Sequence, residues 1–407
     1  MKSVDAHLAE CLQSVEPLHA LDVPLLDAQG CILAEDVVAA SDVPRFDRAI
    51  LDGYALRLDD VAGANEHAPV LLPVVGDVVV GRAPVVSVQP GFTARVMAGA
   101  PVPPGTEAVV ADAFTDGGVA RVEIRRAPQA GEGIQFAGAD VRAGQPVLQA
   151  GERLGAGHLG LLASVGRARA TVRPRPRVVV LSTGDDLVEP GINAGPGQSF
   201  ETNSYVITTQ AREAGALAFR VGILPDDPRR LVDAIEDQLV RADLVVTSGG
   251  TSDRAYAVVR DVLTGIGTVD FGGVAMSPGL SQGHGVIGPD ATPLFTLPGD
   301  SLGSYVSFEV FVRPVIRRML GLAALHRSIV RAVCTEALAS EGGLRDFVPG
   351  TLDVEHGRYV VRPRRGAGAP SLVGIGGTNC LLVVPESVTY VAEGDGVEVM
   401  VLEGRLS

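Results

Sequence analysis

Three short segments combine glycine, hydroxyls and carboxylates in a way that suits phosphate and metal chemistry. They are Ser182-Thr-Gly-Asp-Asp186, Ser248-Gly-Gly-Thr-Ser252 and Leu297-Pro-Gly-Asp-Ser301. Glycine lets the main chain approach a ligand closely, and N–H groups at a helix start favour an anion such as phosphate. One such turn is equally well explained as a tight strand–helix connection. Three of them at one edge of one sheet point to a ligand cleft lined by Thr183, Gly184, Asp185, Ser248, Gly249, Gly250, Ser252, Pro298, Gly299 and Asp300. Acidic residues gather at the same edge: Asp185, Asp186, and Asp226-Asp227 ahead of Pro228. One or two carboxylates together with a substrate phosphate suit Mg²⁺, which makes Asp186 and Asp226 the candidate metal ligands. Asp227 stands directly before Pro228, so a helix N-cap explains it as well as a ligand does. Asp226, one residue further from the cap, is the better ligand candidate.

The elements that must carry these segments alternate between strand and helix. Arg177-Val-Val-Val-Leu-Ser182 reads as a buried strand, followed by a helix from Ser204 to Glu213 closed by Gly215. A strand (Ala218 to Leu224), a helix (Pro228 to Arg241), a strand (Leu244 to Ser248) and a helix (Ser252 to Leu263) come next. Pro293 to Leu297 then feeds a long helix from Ser301 to Leu320. This order predicts a parallel, doubly wound sheet with helices on both faces, and ligands of such sheets bind beyond the carboxyl ends of the strands. Upstream, Val4, Leu8, Leu12 and Val15 recur at helical spacing. Valine-rich runs punctuated by Gly and Pro (Pro73 to Gly81, Phe92 to Met97, Glu107 to Ala111, Val119 to Ile124) read as a small β-domain. A second helix is expected over Gly157 to Ser164. The run Val172-Arg-Pro-Arg-Pro-Arg177 marks a boundary, because each proline blocks helix and extends its predecessor. Short β-runs return after residue 328, among them Leu381 to Val384 and Val397 to Leu402, with Arg365 to Pro370 as a loop.

The 407 residues carry 34 basic and 48 acidic side chains, a formal charge of −14, and Lys2 is the only lysine. That balance disfavours a general nucleic-acid surface, which needs a basic face to replace counterions. At 46% hydrophobic and 20% charged residues, disorder is excluded as the main state. No window reaches about 18 uninterrupted apolar residues, so no membrane span is expected. The amino-terminal residues lack the apolar core of a signal peptide. Cys11, Cys31, Cys334 and Cys380 are far apart and read as reduced structural thiols of a cytoplasmic protein, and the histidines have no zinc-ligand spacing. No Gly-x-Gly-x-x-Gly follows the strand at 177–182, which argues against a dinucleotide-dependent redox enzyme.

The three turns stand among a longer series of segments: Pro44-Arg-Phe-Asp-Arg-Ala-Ile-Leu-Asp-Gly-Tyr-Ala55, Met97-Ala-Gly-Ala-Pro-Val-Pro-Pro-Gly105, Leu181-Ser-Thr-Gly-Asp-Asp-Leu187 with Glu201-Thr-Asn203, Asp226-Asp-Pro228, Ser248-Gly-Gly250, Met276-Ser-Pro-Gly279 and Leu297-Pro-Gly299. On these segments the chain resembles the molybdopterin molybdenumtransferase family, which includes MoeA and the E-domain of gephyrin. The segments occur in family order over nearly the whole chain. The resemblance implies an elongated, multi-domain α/β chain. Its parts would be a discontinuous helix/strand linker domain (1–44 and 138–174), a β-rich domain (45–137), a molybdopterin-binding doubly wound parallel α/β domain (175–325) and a C-terminal β-barrel-like domain (326–407). It implies transfer of molybdenum from molybdate onto adenylylated molybdopterin with release of AMP, assisted by Mg²⁺. It further implies a homodimer in which the Asp52-Gly-Tyr segment contacts the partner's cleft. Asp52, Asp186 and Asp226 are then the expected catalytic residues.

Several positions depart from the family pattern. Arg48-Ala49 stand for Asn-Ser, Ala98 for a threonine, Gln135 and Ala139 for an arginine and a glutamate, and Asp186 for a glutamate. After Ser-Gly-Gly the chain continues Thr251-Ser-Asp-Arg-Ala-Tyr-Ala257, so a family aspartate aligns with Ala257, with Asp253 about one helical turn earlier. A family lysine aligns with Leu280, for which His284 is a possible cationic replacement, and a Ser-Gly loop aligns with Ala369-Pro370. Electrostatic groups of this kind are each worth about 10²–10³ in rate. Two readings follow: a divergent molybdotransferase, or a catalytically degenerate paralogue that keeps the fold and acts as a pterin- or nucleotide-binding or scaffold protein.

Overall fold

The computed structural model describes residues 1–249, 256–364 and 375–402, and for 256–258 the backbone alone. Two compact units make up the chain: Asp22–Gln29 with Glu35–Ala170, and Met1–Leu21 with Gly30–Ala34 and the chain from Thr171 onward. The chain begins with helix α1 (Val4–Gln13), which belongs to the second of these units. Ser3 caps it by accepting the N–H of Ala6, as a serine N-cap should.

The first unit holds a five-stranded sheet of β1 (Gly53–Leu56), β2 (Val70–Val78), β3 (Thr93–Val96), β4 (Ala108–Ala111) and β5 (Arg121–Ile124), in the order β4-β1-β3-β2-β5. Strand alternation buries Tyr54 and Leu56 in one core with Val110 and Val122. It buries Ala55 in another with Ala94 and Val109. Helix α2 (Ala156–Ser164) covers the expected second helical segment.

The second unit is built on a six-stranded sheet. Its strands are β6 (Arg177–Thr183), β9 (Leu217–Leu224), β10 (Leu244–Ser248), β11 (Gly267–Gly273), β12 (Ser281–Ile287) and β13 (Thr292–Leu297), and a small pair, β7 (Leu187–Val188) and β8 (Ser199–Phe200), follows β6. The order is β9-β6-β10-β13-β12-β11, and the four strands β9, β6, β10 and β13 run parallel. Helices α3 (Asn203–Ala214), α4 (Pro228–Leu239) and α5 (Tyr256–Ile266) connect them. A helical run from Ser301 to Met319 follows β13, interrupted by a π-helical turn at Phe308–Val312. Alternation again divides the core. Val178 and Val180 pack with Ile207 and Ala211 of α3 and with Phe311, while Val179 and Leu181 pack with Leu231 and Ile235 of α4 and Leu263 of α5. Helices therefore cover both faces, as expected of a doubly wound sheet.

The antiparallel pair β11–β12 was not expected, because it is rich in glycine. Two of those glycines sit where the strands approach closely. A Cβ on Gly267 would lie 2.1 Å from the Val286 carbonyl oxygen, and one on Gly285 equally close to that of Thr268. Beyond the helical run, β14 (Ile329–Cys334), β15 (Arg345–Glu355), β16 (Arg358–Pro363), β17 (Cys380–Val384) and β18 (Gly396–Val401) pair in a closed ring, β15-β16-β14-β18-β17-β15. This ring encloses its own core of Val348, Leu352, Val361, Leu382 and Val399. Arg365 to Pro370, expected as a loop, lies outside the described residues, as does Ala369-Pro370.

Candidate functional site

Register decides where the chemistry-bearing segments meet. Ser182 of β6 lies opposite Ser248 of β10, and Ser248 lies opposite Leu297 of β13. The three strand ends are therefore flush, and a cleft of about 390 Å³ opens beside them. Thr183, Gly184, Asp186, Asp226, Ser248, Gly249 and Gly299 line it, together with Ser182, Leu187, Phe200, Glu201, Thr202, Asn203 and Ser301. Gly249 adopts φ +103°, and a Cβ there would lie 2.4 Å from the Thr183 carbonyl oxygen. Only glycine allows that approach between two strand ends without strain.

Two residues absent from the sequence-derived site hold the floor together. Asn203, at the start of α3, donates through Nδ2 to Ser248 Oγ and to the Gly299 carbonyl, both at 2.8 Å. Ser248 Oγ in turn donates to the Pro298 carbonyl at 3.1 Å. Glu201 is buried and accepts from Ser182 Oγ at 2.8 Å, from the Ser204 N–H at 2.8 Å and from Ser204 Oγ. Arg220 reaches the same carboxylate at 3.4 Å while pairing with Glu189 at 2.6 Å and lying over the Tyr205 ring. Glu201 and Asn203 belong to the segment Glu201-Thr-Asn203 that carries the family resemblance. The signal was present, but nothing in it showed that the segment folds back under the strand ends.

The carboxylates behave differently from one another. Asp226 is raised above the usual carboxylate range, first by burial and then by the charges of Asp185 and Asp186. One of its oxygens and the Thr183 hydroxyl are buried without a hydrogen-bond partner among the described residues. A crowded, partly orphaned carboxylate beside two others is an arrangement that a hard cation relieves. Among the described residues no group of three or more His, Cys, Asp or Glu side chains is arranged as a metal site. Asp185 accepts the Asp226 N–H at 3.1 Å, joining the two acidic turns. Asp227 caps α4 through the Arg230 N–H, and Asp300 caps the helical run that begins at Ser301 through the Gly303 N–H at 2.6 Å. The Asp300 carboxylate is thus engaged in capping, and of Pro298 it is the carbonyl that is used. Gly250, Thr251, Ser252 and Asp253 lie outside the described residues, as does the Ala257 side chain.

Asp52 is exposed in the other unit, where it accepts the Ala98 N–H at 2.8 Å. Its neighbours are structural. A Cβ on Gly53 would lie 1.9 Å from the Val110 carbonyl oxygen, and the buried Tyr54 donates its hydroxyl to the Gly118 carbonyl. Two of the departures from the family pattern face each other there: Arg48 and Gln135 are register partners, and Arg48 Nε donates to Gln135 Oε1 at 2.9 Å. His284 is not a replacement cation. It packs on Phe295, hydrogen-bonds with Ser14 at 3.0 Å, and burial lowers its pKa, which keeps it neutral. Leu280 is half-exposed.

Comparison with known proteins agrees with this arrangement. Residues 2–166 match the MoeA N-terminal region (domains I and II), 179–318 a probable molybdopterin binding domain, and 331–402 the MoeA C-terminal region (domain IV). The chain is 40% identical to molybdopterin molybdenumtransferase 2 of Mycobacterium tuberculosis, covering 98% of this chain and 99% of that one. It is 33% identical to the molybdopterin molybdenumtransferase of a Nostoc species, covering 93% and 88%. Two structures of a molybdopterin biosynthesis MoeA protein from Pyrococcus horikoshii superpose with TM-scores of 0.79 and 0.70, at 30% and 26% identity. They cover 99% and 98% of this chain and 99% and 100% of those chains. With three family regions following one another along the chain and full-length relatives on either side of them, this protein belongs to the MoeA family.

Proposed function

We propose that the protein is a molybdopterin molybdenumtransferase. It takes molybdenum from molybdate, inserts it into adenylylated molybdopterin and releases AMP, a step of molybdenum cofactor biosynthesis. The observation that carries this reading is the cleft at the flush ends of β6, β10 and β13, lined by Thr183 and Asp226, where one buried Asp226 oxygen and the buried Thr183 hydroxyl have no hydrogen-bond partner among the described residues. A phosphate-bearing substrate fits a cleft beyond the carboxyl ends of parallel strands. Thr183, Gly184, Asp185, Ser248, Gly249, Gly250 and Ser252 are the proposed contacts to it, with Pro298, Gly299 and Asp300 contributing main chain. Asp186 and Asp226 would hold Mg²⁺, which supplies charge neutralisation at the phosphate oxygens. Glu201 and Asn203 hold the strand ends at the spacing the substrate needs.

The rest of the reading follows the resemblance. The active form is a homodimer, with Asp52 acting at the partner's cleft. The four-part division at 1–44 with 138–174, 45–137, 175–325 and 326–407 describes its domains. A cytoplasmic location accords with Cys11, Cys31, Cys334 and Cys380 all being buried, as reduced structural thiols are. Among the described residues no helix is long and apolar enough to cross a membrane. The test is AMP release from adenylylated molybdopterin. AMP should appear only when both molybdate and Mg²⁺ are present. A protein that binds the adenylylated pterin and releases no AMP would instead be the degenerate paralogue.

A further inference from the structure

Among the described residues the cleft is lined by hydroxyls, an amide, carboxylates and glycines, with two apolar exceptions, Leu187 and Phe200. Phe200 is 50% exposed, an unusual state for a phenyl ring on the wall of a polar cavity. Its mount is rigid. Phe200 pairs with Val188 across β7 and β8, and the residues on either side are tied down as well. The Ser199 N–H donates to the Asp186 carbonyl at 2.8 Å, and the Glu201 N–H to the Val188 carbonyl at 2.9 Å. The next side chain, Glu201, is buried under its own donors. Tyr205, the aromatic residue closest along the chain, is occupied by the Arg220 guanidinium at 4.2 Å. A fixed, exposed aromatic face beside phosphate-binding turns suits a ligand that carries a flat heteroaromatic ring on a phosphate.

We infer that Phe200 is a specificity-determining residue, the platform on which a planar heteroaromatic ring of the substrate stacks. This rests on the transferase reading, whose substrate carries two such rings, adenine and pterin. Stacking of a base on an aromatic side chain is worth roughly a 5- to 100-fold gain in affinity. The stack selects for planarity rather than for any hydrogen-bond pattern. The phosphate contacts at Thr183 and Ser248 then set how far along the cleft the ring lies.

The chain contains no tryptophan, so Phe200→Trp in the full-length protein places a single fluorophore at the site. Titration with AMP tests the adenine ring, and titration with molybdopterin tests the pterin. Adenylylated molybdopterin carries both, with its affinity measured independently by calorimetry. The expected result is saturable quenching of the indole by adenylylated molybdopterin and by one of the two fragments, at the calorimetric Kd. Phe200→Ala and Phe200→Leu should each weaken calorimetric binding by roughly 5- to 100-fold with little change in melting temperature, because the ring is half-exposed. Unchanged indole emission during calorimetrically detected binding, or wild-type affinity in Phe200→Ala, would overturn the stacking and leave the transferase reading standing. Absence of any binding of adenylylated molybdopterin to the wild type would overturn the transferase reading and this inference with it.

Discussion

Glu201→Ala is the most searching single perturbation of the site floor. The Glu201 side chain is 1% exposed and accepts from the Ser182 hydroxyl, the Ser204 N–H and the Ser204 hydroxyl, with Arg220 at 3.4 Å. Truncation leaves the Ser182 hydroxyl and the Ser204 N–H buried without that acceptor, at about 1–3 kcal/mol each. It also opens a small cavity. Arg220 is not stranded, because Glu189 holds it at 2.6 Å and Tyr205 underlies it at 4.2 Å. The sum is a loss of about 3–5 kcal/mol, in the range for breaking one side of a buried charged network. Glu201→Gln keeps the shape and two acceptor directions, and the serine hydroxyls can rotate, so about 1–2 kcal/mol is expected. Urea unfolding of the full-length variants, followed by far-ultraviolet circular dichroism, measures both values. Molybdate-dependent AMP release should fall in the same order, with Ala below Gln. A loss under about 1 kcal/mol for Glu201→Ala, or equal losses for Ala and Gln, would refute the argument that this carboxylate organises the strand ends.

Other perturbations reach different parts of the molecule. Gly53→Ala places a Cβ 1.9 Å from the Val110 carbonyl oxygen, so β1 cannot keep its place between β3 and β4; a loss of at least about 3 kcal/mol is expected in thermal unfolding. Asp226 has a raised folded pKa, so its contribution to stability is present at low pH and lost as pH rises through that pKa. Asp226→Asn should therefore raise the melting temperature of the ligand-free protein at neutral pH while lowering Mg²⁺ affinity in calorimetry; a lower melting temperature would contradict the crowding of Asp185, Asp186 and Asp226. His7 is held neutral by burial, its pKa pushed down to about 4, so stability should fall as pH drops from about 6.5 toward 4, by up to about 3 kcal/mol. His7→Phe should flatten that profile in denaturant titrations at several pH values. Leu280→Lys restores a cation at a half-exposed position; even a quarter of the roughly 4 kcal/mol that a charge pair 4 Å apart has at an effective dielectric of 20 is a several-fold gain in molybdate affinity, and calorimetry with molybdate would show its absence.

Much of the parallel core was legible because its physics is local. Arg177-Val-Val-Val-Leu-Ser182 and Leu244 to Ser248 are apolar runs of strand length bounded by Gly and Pro, and a run buried on both faces must be a central strand. Pro228 and Gly215 announced a helix start and a helix end through the restricted φ of one residue and the positive φ of the other. The three Gly-rich turns could be assigned to one edge because parallel strands place all their carboxyl ends on the same side. What the chain order could not supply was anything that depends on register or on approach between distant backbones. The hairpin β11–β12 was assigned no element because its glycines, lacking side chains, carry no strand pattern; Gly267 and Gly285 are explained only by a neighbouring backbone oxygen 2.1 Å from their would-be Cβ atoms. Gly53 and Tyr54 read as parts of a functional motif, and the fold shows one as a steric necessity and the other as core. Asp226 was expected to bind metal and Asp300 substrate, yet the Asp300 carboxylate is engaged as a helix cap, while one Asp226 oxygen is buried without a partner among the described residues. Asn203 lies 45 residues before Ser248 and 96 before Gly299, and its role as the tie between them exists only once β6, β10 and β13 end flush. Sequence determined which residue types could do the chemistry and on which edge of the sheet. Tertiary structure decided which of them are free to do it, because hydrogen bonding and burial between segments far apart in the chain are settled by packing alone.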